Sequence, residues 1–85
     1  MKKGMAGSKE SSDCMITVTE SNVQEIIIDS VVGAFFHDQI KAVIVSTLEE
    51  QNKLNVKVEC VDRGALDSTI KARLLTALER MDDNA

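Results

Sequence analysis

Few side chains in this sequence could form or break a covalent bond. Cys14 and Cys60 are the only cysteines, and His37 is the only histidine. No two cysteines have C-x-x-C spacing, and the histidine has no local pattern of catalytic partners, so neither a zinc site nor a nucleophilic triad is indicated. Among the hydroxyl groups, those of Ser11 and Ser12 stand side by side in a polar N-terminal segment. Composition alone identifies both as ordinary linker serines.

The segment that carries these serines differs in composition from the rest of the chain. Residues 1–13 combine glycine, serine and charged residues with only three apolar side chains. Such a stretch cannot offset the entropy cost of ordering by burying apolar surface. We therefore expect a flexible arm over residues 1–13 and a single domain over residues 14–85.

After residue 13 the apolar pattern predicts three strands and two helices. Period-two alternation and β-branched residues indicate strands at Cys14–Thr19, Val23–Asp29 and Leu54–Cys60. Apolar residues spaced three and four apart indicate helices over Val32–Leu48 and Leu66–Met81. The predicted order is therefore strand, strand, helix, strand, helix.

This ββαβα order is typical of a two-layer α+β sandwich. A strand–helix–strand crossover makes its two strands parallel, and the short break between the first two strands predicts an antiparallel hairpin. The simplest result is a three-stranded mixed sheet of order 2-1-3 with both helices on one face. Met15, Thr17 and Ile27 would lie on the other face, either as scattered surface residues or as a docking surface.

The inward positions of both periodicities define the predicted core. It comprises Ile16, Val18, Ile26, Ile28, Val32, Phe36, Ile40, Ile44, Val56, Val58, Ile70, Leu74 and Leu78. Both cysteines also fall on inward strand positions, where we expect buried, reduced thiols. Ser30 and Gly64 are candidate N-caps of the two helices, and Asp67 would lie in the first turn of the second helix, where the helix dipole favours an anion.

Length and charge exclude several classes of function. A chain of 85 residues allows one small domain, and such a domain buries only about 60–65% of its unfolded surface, so a large substrate cleft is not expected. A net charge of −4 and the absence of Trp and Tyr disfavour RNA or other nucleic acid as a partner. The sequence has no apolar run long enough for a membrane span and no signal-peptide hydrophobic region, so we expect a cytoplasmic protein.

Two segments resemble the signature regions of a known family. One reads GSKESSD at residues 7–13, and the other reads DRGALD at residues 62–67 and continues into IKARL at residues 70–74. They are similar to the Gly-Thr-Leu-Glu-Ser-(Ser or Gly)-Asp segment and the Asp-(Lys or Arg)-Gly-Ala-Leu-Asp turn of the citrate lyase acyl carrier protein, the gamma subunit of that enzyme. The departures are modest, with Ser8 and Lys9 in place of the usual Thr and Leu.

This resemblance implies a non-catalytic carrier subunit. The family's serine after glutamate bears the prosthetic group, and the matching residue here is Ser11. The implied group is 2'-(5''-phosphoribosyl)-3'-dephospho-CoA, joined to the hydroxyl through a phosphodiester by a prosthetic-group transferase. Its thiol would carry acetyl and citryl thioesters between the alpha (transferase) and beta (lyase) subunits of citrate lyase, while citrate is cleaved to acetate and oxaloacetate. No metal, membrane or nucleic-acid partner is implied.

Several alternatives remain open at this point. Ser12 is chemically equal to Ser11, and only the resemblance distinguishes them. The carrier subunit of malonate decarboxylase uses the same prosthetic group, and a cofactor-free protein-interaction domain would also fit the predicted fold. Arg73 is either a partner-docking residue or a solvated helix charge.

Overall fold

Four strands and two helices form the described part of the chain, which in the computed structural model is residues 1–31 and 34–83, with only the backbone described at 34 and 35. The elements are β1 (Lys3–Gly7), β2 (Cys14–Glu20), β3 (Glu25–Ser30), α1 (Ala34–Glu50), β4 (Val56–Asp62) and α2 (Asp67–Asp83). The strands make one mixed sheet, and both helices pack on the same face of it. Neither described helix is long and apolar enough to cross a membrane.

The predicted α+β sandwich is confirmed, but the predicted strand order is wrong. The order is β1-β2-β4-β3, in which β2 and β3 do not pair with each other. Both pair with β4 instead: β2 antiparallel through Ile16 opposite Cys60, and β3 parallel through Ile28 opposite Cys60. The strand with the cleanest alternation, Val56–Asp62, has its inward side chains fully buried and therefore takes a central position, whereas β3 is only half-buried at an edge. The parallel crossover itself is as predicted.

The sheet has one strand more than the three predicted. Lys3–Gly7 lies within the segment expected to be an arm, yet it pairs antiparallel with β2, with Gly4 opposite Val18 and Ala6 opposite Ile16. Only these two small residues face the helices, so the strand buries little apolar side chain and its composition resembles a linker. Their size is what allows α2 to lie directly on β1, because a Cβ at Gly4 would collide with the backbone oxygen of Ala77.

The core largely follows the predicted positions. Nine of the thirteen predicted residues are buried: Ile16, Val18, Ile40, Ile44, Val56, Val58, Ile70, Leu74 and Leu78. Ile26 and Ile28 are partly buried against this cluster. The prediction that Phe36 belongs to the core is wrong, because this residue is 43% exposed. Val32 lies outside the described residues. The burial of Cys14 and Cys60 is confirmed.

The opposite face of the sheet carries no helix. Met15 and Thr17 are half-buried there, and Ile27 is exposed, as predicted for this face. The extra strand adds Met5, which pairs with Thr17 and is also exposed. Charged residues of β4 interrupt the face, since Lys57 and Glu59 lie between these apolar positions.

Candidate functional site

The two segments that resemble family signatures meet at one edge of the sheet. β1 ends and β2 begins at this edge, because they form an antiparallel hairpin joined by residues 8–13, here called the serine loop. The parallel strands β3 and β4 also end here, so residues 63–66, here called the β4–α2 turn, lie beside the serine loop. Segments that are more than forty residues apart in sequence are thus neighbours in the fold.

Ser11 lies at the tip of the serine loop. The N–H of Asp13 donates to the carbonyl oxygen of Glu10 at 3.1 Å, which closes a turn with Ser11 and Ser12 in its middle positions. Both serines are exposed, and among the described residues their hydroxyl groups have no hydrogen-bond partner. The Ser8 hydroxyl, by contrast, donates to Asp13 Oδ2 at 2.7 Å. The loop therefore offers two hydroxyl groups for chemistry and holds the third in place.

Ser12 differs from Ser11 in its backbone. Its φ of 67° lies in the left-handed region, which glycine enters without strain and which other residues adopt at some cost. Its N–H donates to the carbonyl oxygen of Arg63 at 2.7 Å, and the N–H of Arg63 donates in return to the carbonyl oxygen of Asp13 at 2.9 Å. These two backbone hydrogen bonds fasten the serine loop to the β4–α2 turn.

The Asp13 carboxylate holds the base of the serine loop. It accepts hydrogen bonds from Arg73 of α2, from the Ser8 hydroxyl and from the backbone N–H of Cys14. These three donors, the Arg73 guanidinium foremost, lower the pKa of Asp13 to about 2. The same ion pair raises the pKa of Arg73. Asp13 is therefore a structural anchor, because a carboxylate this strongly stabilised in its ionised form is a poor proton acceptor.

The β4–α2 turn is organised by a buried carboxylate. Asp62, which is 1% exposed, accepts from the Ser30 hydroxyl at 2.8 Å and from the backbone N–H of Ala65 at 2.9 Å. Gly64 lies between Asp62 and Ala65 in the turn and has a φ of +92°, so the turn requires a residue that adopts the left-handed region easily. Gly64 is thus a turn residue, as its sequence context predicts.

Gly64 does not have its predicted N-cap role, and the cap predicted at Ser30 lies outside the described residues, because its N–H partners would be residues 32 and 33. Ser30 is the last residue of β3 and donates to Asp62. α2 begins at Asp67, and the carbonyl oxygen of Leu66 accepts from the N–H groups of Thr69 and Ile70, so the chain enters the helix two residues later than Gly64. The predicted position of Asp67 in the first helical turn is confirmed.

A groove of about 510 Å³ opens between the β4–α2 turn and the first turns of α1. Phe36, Ile40 and Leu66 supply its apolar surface, and Leu66 is 73% exposed. An exposed leucine beside a half-exposed phenylalanine leaves apolar surface open to solvent at the same edge of the sheet as the serine loop.

Polar groups line the rest of this groove. The Asp62 and Asp67 carboxylates both contribute to its lining. The Gln39 side-chain amide reaches across it and donates to the two carboxylate oxygens of Asp67 at 3.2 and 3.1 Å. The groove therefore combines apolar walls with carboxylate and amide groups and has no basic residue in its lining.

Comparison with known proteins agrees with this geometry. A family model described as the malonate decarboxylase delta subunit (MdcD) acyl carrier protein matches residues 1–81. The citrate lyase acyl carrier protein of Streptococcus mutans is 50% identical over 78 residues, which are 89% of this chain and 76% of the relative. That of Halothermothrix orenii is 48% identical over 81 residues, 94% of this chain and 86% of the relative. That of Oenococcus oeni is 45% identical over 80 residues, 93% and 82% respectively.

The chain belongs to the citrate lyase acyl carrier protein family. The resemblance carried by residues 7–13 and 62–74 is thereby confirmed. No solved structure matches the chain.

The cysteines of this acyl carrier protein are buried, in contrast to the exposed Ser11 and Ser12. Cys14 and Cys60 are on adjacent strands, their side chains face the helices, and both are buried. Their thiols share a hydrogen bond, and this contact together with burial raises the pKa of Cys60 far above its ordinary value. A thiol that resists ionisation is a weak nucleophile, so Cys60 is a poor candidate for chemistry. The burial of both side chains makes the two cysteines part of the core.

Two features of the site were missed by periodicity and composition. The first is the strand β1, whose inward residues are only Gly4 and Ala6. The second is the ion pair between Asp13 and Arg73, because pairing between distant charges has no periodic signal. Both residues nevertheless stand inside the two matched segments, so the family pattern was the available indication that they are neighbours.

Proposed function

We propose that this chain is the acyl carrier subunit of citrate lyase, with the prosthetic group attached through the Ser11 hydroxyl. The single observation that carries the proposal is the exposed Ser11 hydroxyl, which has no hydrogen-bond partner among the described residues and lies at the tip of a loop held at its base. The relatives named citrate lyase acyl carrier protein give the loop its context.

The residues present fit a covalently attached phosphodiester group. The attachment needs a hydroxyl that a transferase can reach and that no neighbouring residue binds, and Ser11 meets both conditions. Ser8 does not, because its hydroxyl donates to Asp13. When bound, 2'-(5''-phosphoribosyl)-3'-dephospho-CoA supplies a thiol that carries acyl groups as thioesters.

Ser11 is a better attachment residue than Ser12. The family pattern accepts serine or glycine at the position of Ser12, and a φ of 67° is a conformation that glycine adopts readily. The family pattern therefore constrains the backbone conformation at position 12 and does not require a hydroxyl group there. No such backbone demand applies at Ser11, where the side chain itself is what the chemistry uses.

The remaining residues of the loop position the attachment point. Asp13 and Arg73 fix the base of the loop on α2, and the hydrogen bond from Ser12 to Arg63 fixes its far side. Lys9, Glu10 and Ser11 lie between these anchors, and Glu10 is joined to them only through its backbone. We infer that the mobile part of the N-terminal region is this short tip, and that a long prosthetic arm, rather than the polypeptide, provides the reach between the active sites of the alpha and beta subunits.

Peptide mass spectrometry tests the attachment site. The protein is produced together with its prosthetic-group transferase, and the native chain is compared with Ser11→Ala and with the matched variant Ser12→Gly. We expect the added mass on the peptide that contains Ser11, its loss in Ser11→Ala and its retention in Ser12→Gly. Modification of Ser11→Ala, or none in the native chain, would contradict the proposed site.

Reconstitution tests the function in citrate lyase. The modified chain added to the alpha and beta subunits is expected to restore citrate cleavage, and the unmodified chain or Ser11→Ala is expected not to. A second candidate is the carrier of malonate decarboxylase, because the matching family model carries that description. If the modified chain supports malonate decarboxylation and leaves citrate uncleaved, the second candidate is correct.

A further inference from the structure

We propose that the groove between α1 and the β4–α2 turn binds the uncharged, acetylated end of this chain's own prosthetic arm between turnovers. The inference rests on the proposed function, since it needs the arm attached to Ser11. It assigns the groove formed by Phe36, Ile40, Leu66 and their polar neighbours to a defined occupant.

The attachment point lies close to the groove. Ser11 precedes Ser12, whose N–H bonds to the carbonyl oxygen of Arg63, and Gly64 of the groove follows Arg63 directly. Summing standard bond lengths and this hydrogen bond along the path places the Cα atoms of Ser11 and Gly64 within about 10 Å of each other. An arm of the size of coenzyme A joined to Ser11 can therefore turn back into the groove without any change in the fold.

The charges along this path match the arm from its root to its tip. Near the attachment point, where the phosphate groups of the arm would lie, the basic residues Lys9, Arg63 and Arg73 offset the carboxylates of Glu10 and Asp13. Farther on, the groove presents the exposed Asp67 carboxylate beside the buried Asp62, and none of its described lining residues is basic. It therefore repels phosphates and suits the amide and thioester groups at the far end of the arm.

The groove also has the chemistry to hold such a chain. Phe36 and Leu66 offer exposed apolar surface to the methylene and acetyl groups, and burial of that surface favours binding. The Gln39 side-chain amide can accept hydrogen bonds from the amide groups of the arm or donate hydrogen bonds to them. Because the tether makes binding intramolecular, a weak contact is enough to keep the arm in place for much of the time.

The acyl group decides whether the arm stays in the groove. An acetyl thioester is neutral, whereas a citryl thioester retains carboxylates that the exposed Asp67 carboxylate repels. The acetyl form would then be sheltered from water between turnovers, and the citryl form would be displaced toward the subunit that cleaves it.

Backbone amide NMR of the modified chain tests this directly. The probes are the arm carrying an acetyl group and the same arm carrying a succinyl group, which is similar in linkage but anionic. Peptide mass spectrometry first shows that Ser11 is modified, so failure of the proposed function is recognised separately. Relative to the unmodified chain, we expect the amide chemical shifts of residues 64–68 to change in the acetyl form and not in the succinyl form. Shifts confined to the serine loop in both forms would overturn the proposal.

The rate at which hydroxylamine cleaves the acetyl thioester gives a second readout. Leu66→Ala removes exposed apolar surface without disturbing the core, and Leu54→Ala, an exposed leucine outside the groove, is its matched control. We expect cleavage to be about threefold or more faster in Leu66→Ala than in the native chain and unchanged in Leu54→Ala. Equal rates in all three proteins would overturn the proposal. So would groove shifts that arise only when the alpha or beta subunit is added, since the groove would then be a partner's docking site.

Discussion

Asp13 and Arg73 are sixty residues apart in sequence and form a two-point ion pair, with Nε 3.0 Å from Oδ1 and Nη2 3.3 Å from Oδ2. Asp13 closes the loop that presents Ser11, and Arg73 lies on the helix that follows the β4–α2 turn. The pair joins the two segments by which the family is recognised. A charge on α2 that could have served a partner instead positions the serine loop within the chain itself.

Replacing Asp13 by Asn should change how stability depends on pH. The folded-state pKa of Asp13 is lowered, so its ionised form stabilises the fold above its unfolded pKa of 3.8 and that contribution is lost as the pH falls toward 2. We therefore expect the variant to be less stable than the native chain at neutral pH, and the gap to narrow between about pH 4 and pH 2. Denaturant unfolding at a series of pH values measures this.

Arg73→Gln provides the control for that experiment. It removes the main donor to Asp13 while leaving the carboxylate in place. The loss of stability between about pH 4 and pH 2 should therefore be smaller in this variant than in the native chain. The double variant should lose less stability than the sum of the two single losses, because both changes disrupt one contact. Full additivity of the two losses would show that the ion pair contributes nothing to stability.

Gly4→Ala tests whether α2 lies directly on β1. A Cβ at this position would be forced against the backbone of Ala77 and Met81, and backbone cannot move aside as a flexible side chain can. We expect a loss of about 2 kcal/mol or more in the free energy of unfolding. Met5→Ala on the same strand is the control; its side chain is 46% exposed, and we expect a loss below about 1 kcal/mol. Equal losses would place β1 away from the helix.

How far the sequence predicts this fold depends on the signal that each element carries. The alternation through Val56, Val58 and Cys60 identifies its strand, because large apolar side chains at period two report a buried face directly. The position of that strand in the sheet has no comparable signal. Val56–Asp62 and Cys14–Glu20 both alternate, and a short polar break between strands is compatible either with a hairpin or with a crossing over a third strand.

The candidate site likewise has parts that the sequence predicts and parts that it does not. The exposed serines could be located from composition and from the matched segment, and the turn at Gly64 from its residue types. The groove could not, because periodicity identifies the face of a helix but not what packs against each of its turns. Phe36 and Ile40 are four residues apart and share one helix face by periodicity, yet Ile40 is 4% exposed and Phe36, in the first turn of α1, is 43% exposed.

This difference along α1 predicts unequal effects of core and margin substitutions. Ile44 is fully buried, so Ile44→Ala should lower the free energy of unfolding by about 2–5 kcal/mol through lost burial and the cavity that it leaves. Phe36→Ala should cost less than about 2 kcal/mol, because much of the ring already contacts water. Urea unfolding of both variants compares them. A larger loss for Phe36→Ala would mean that its ring is packed in the core.

Replacing both cysteines should separate their structural role from the thioester chemistry. Cys14→Ser and Cys60→Ser place hydroxyl groups among apolar side chains, and we expect each to lower the free energy of unfolding by about 1–3 kcal/mol. Turnover per folded, modified molecule should be unchanged in reconstituted citrate lyase, because the proposed function places the working thiol on the prosthetic arm. Intact mass establishes the modified fraction, and circular dichroism the folded fraction. A double variant that is fully folded and fully modified yet inactive would show that a protein thiol takes part in the reaction.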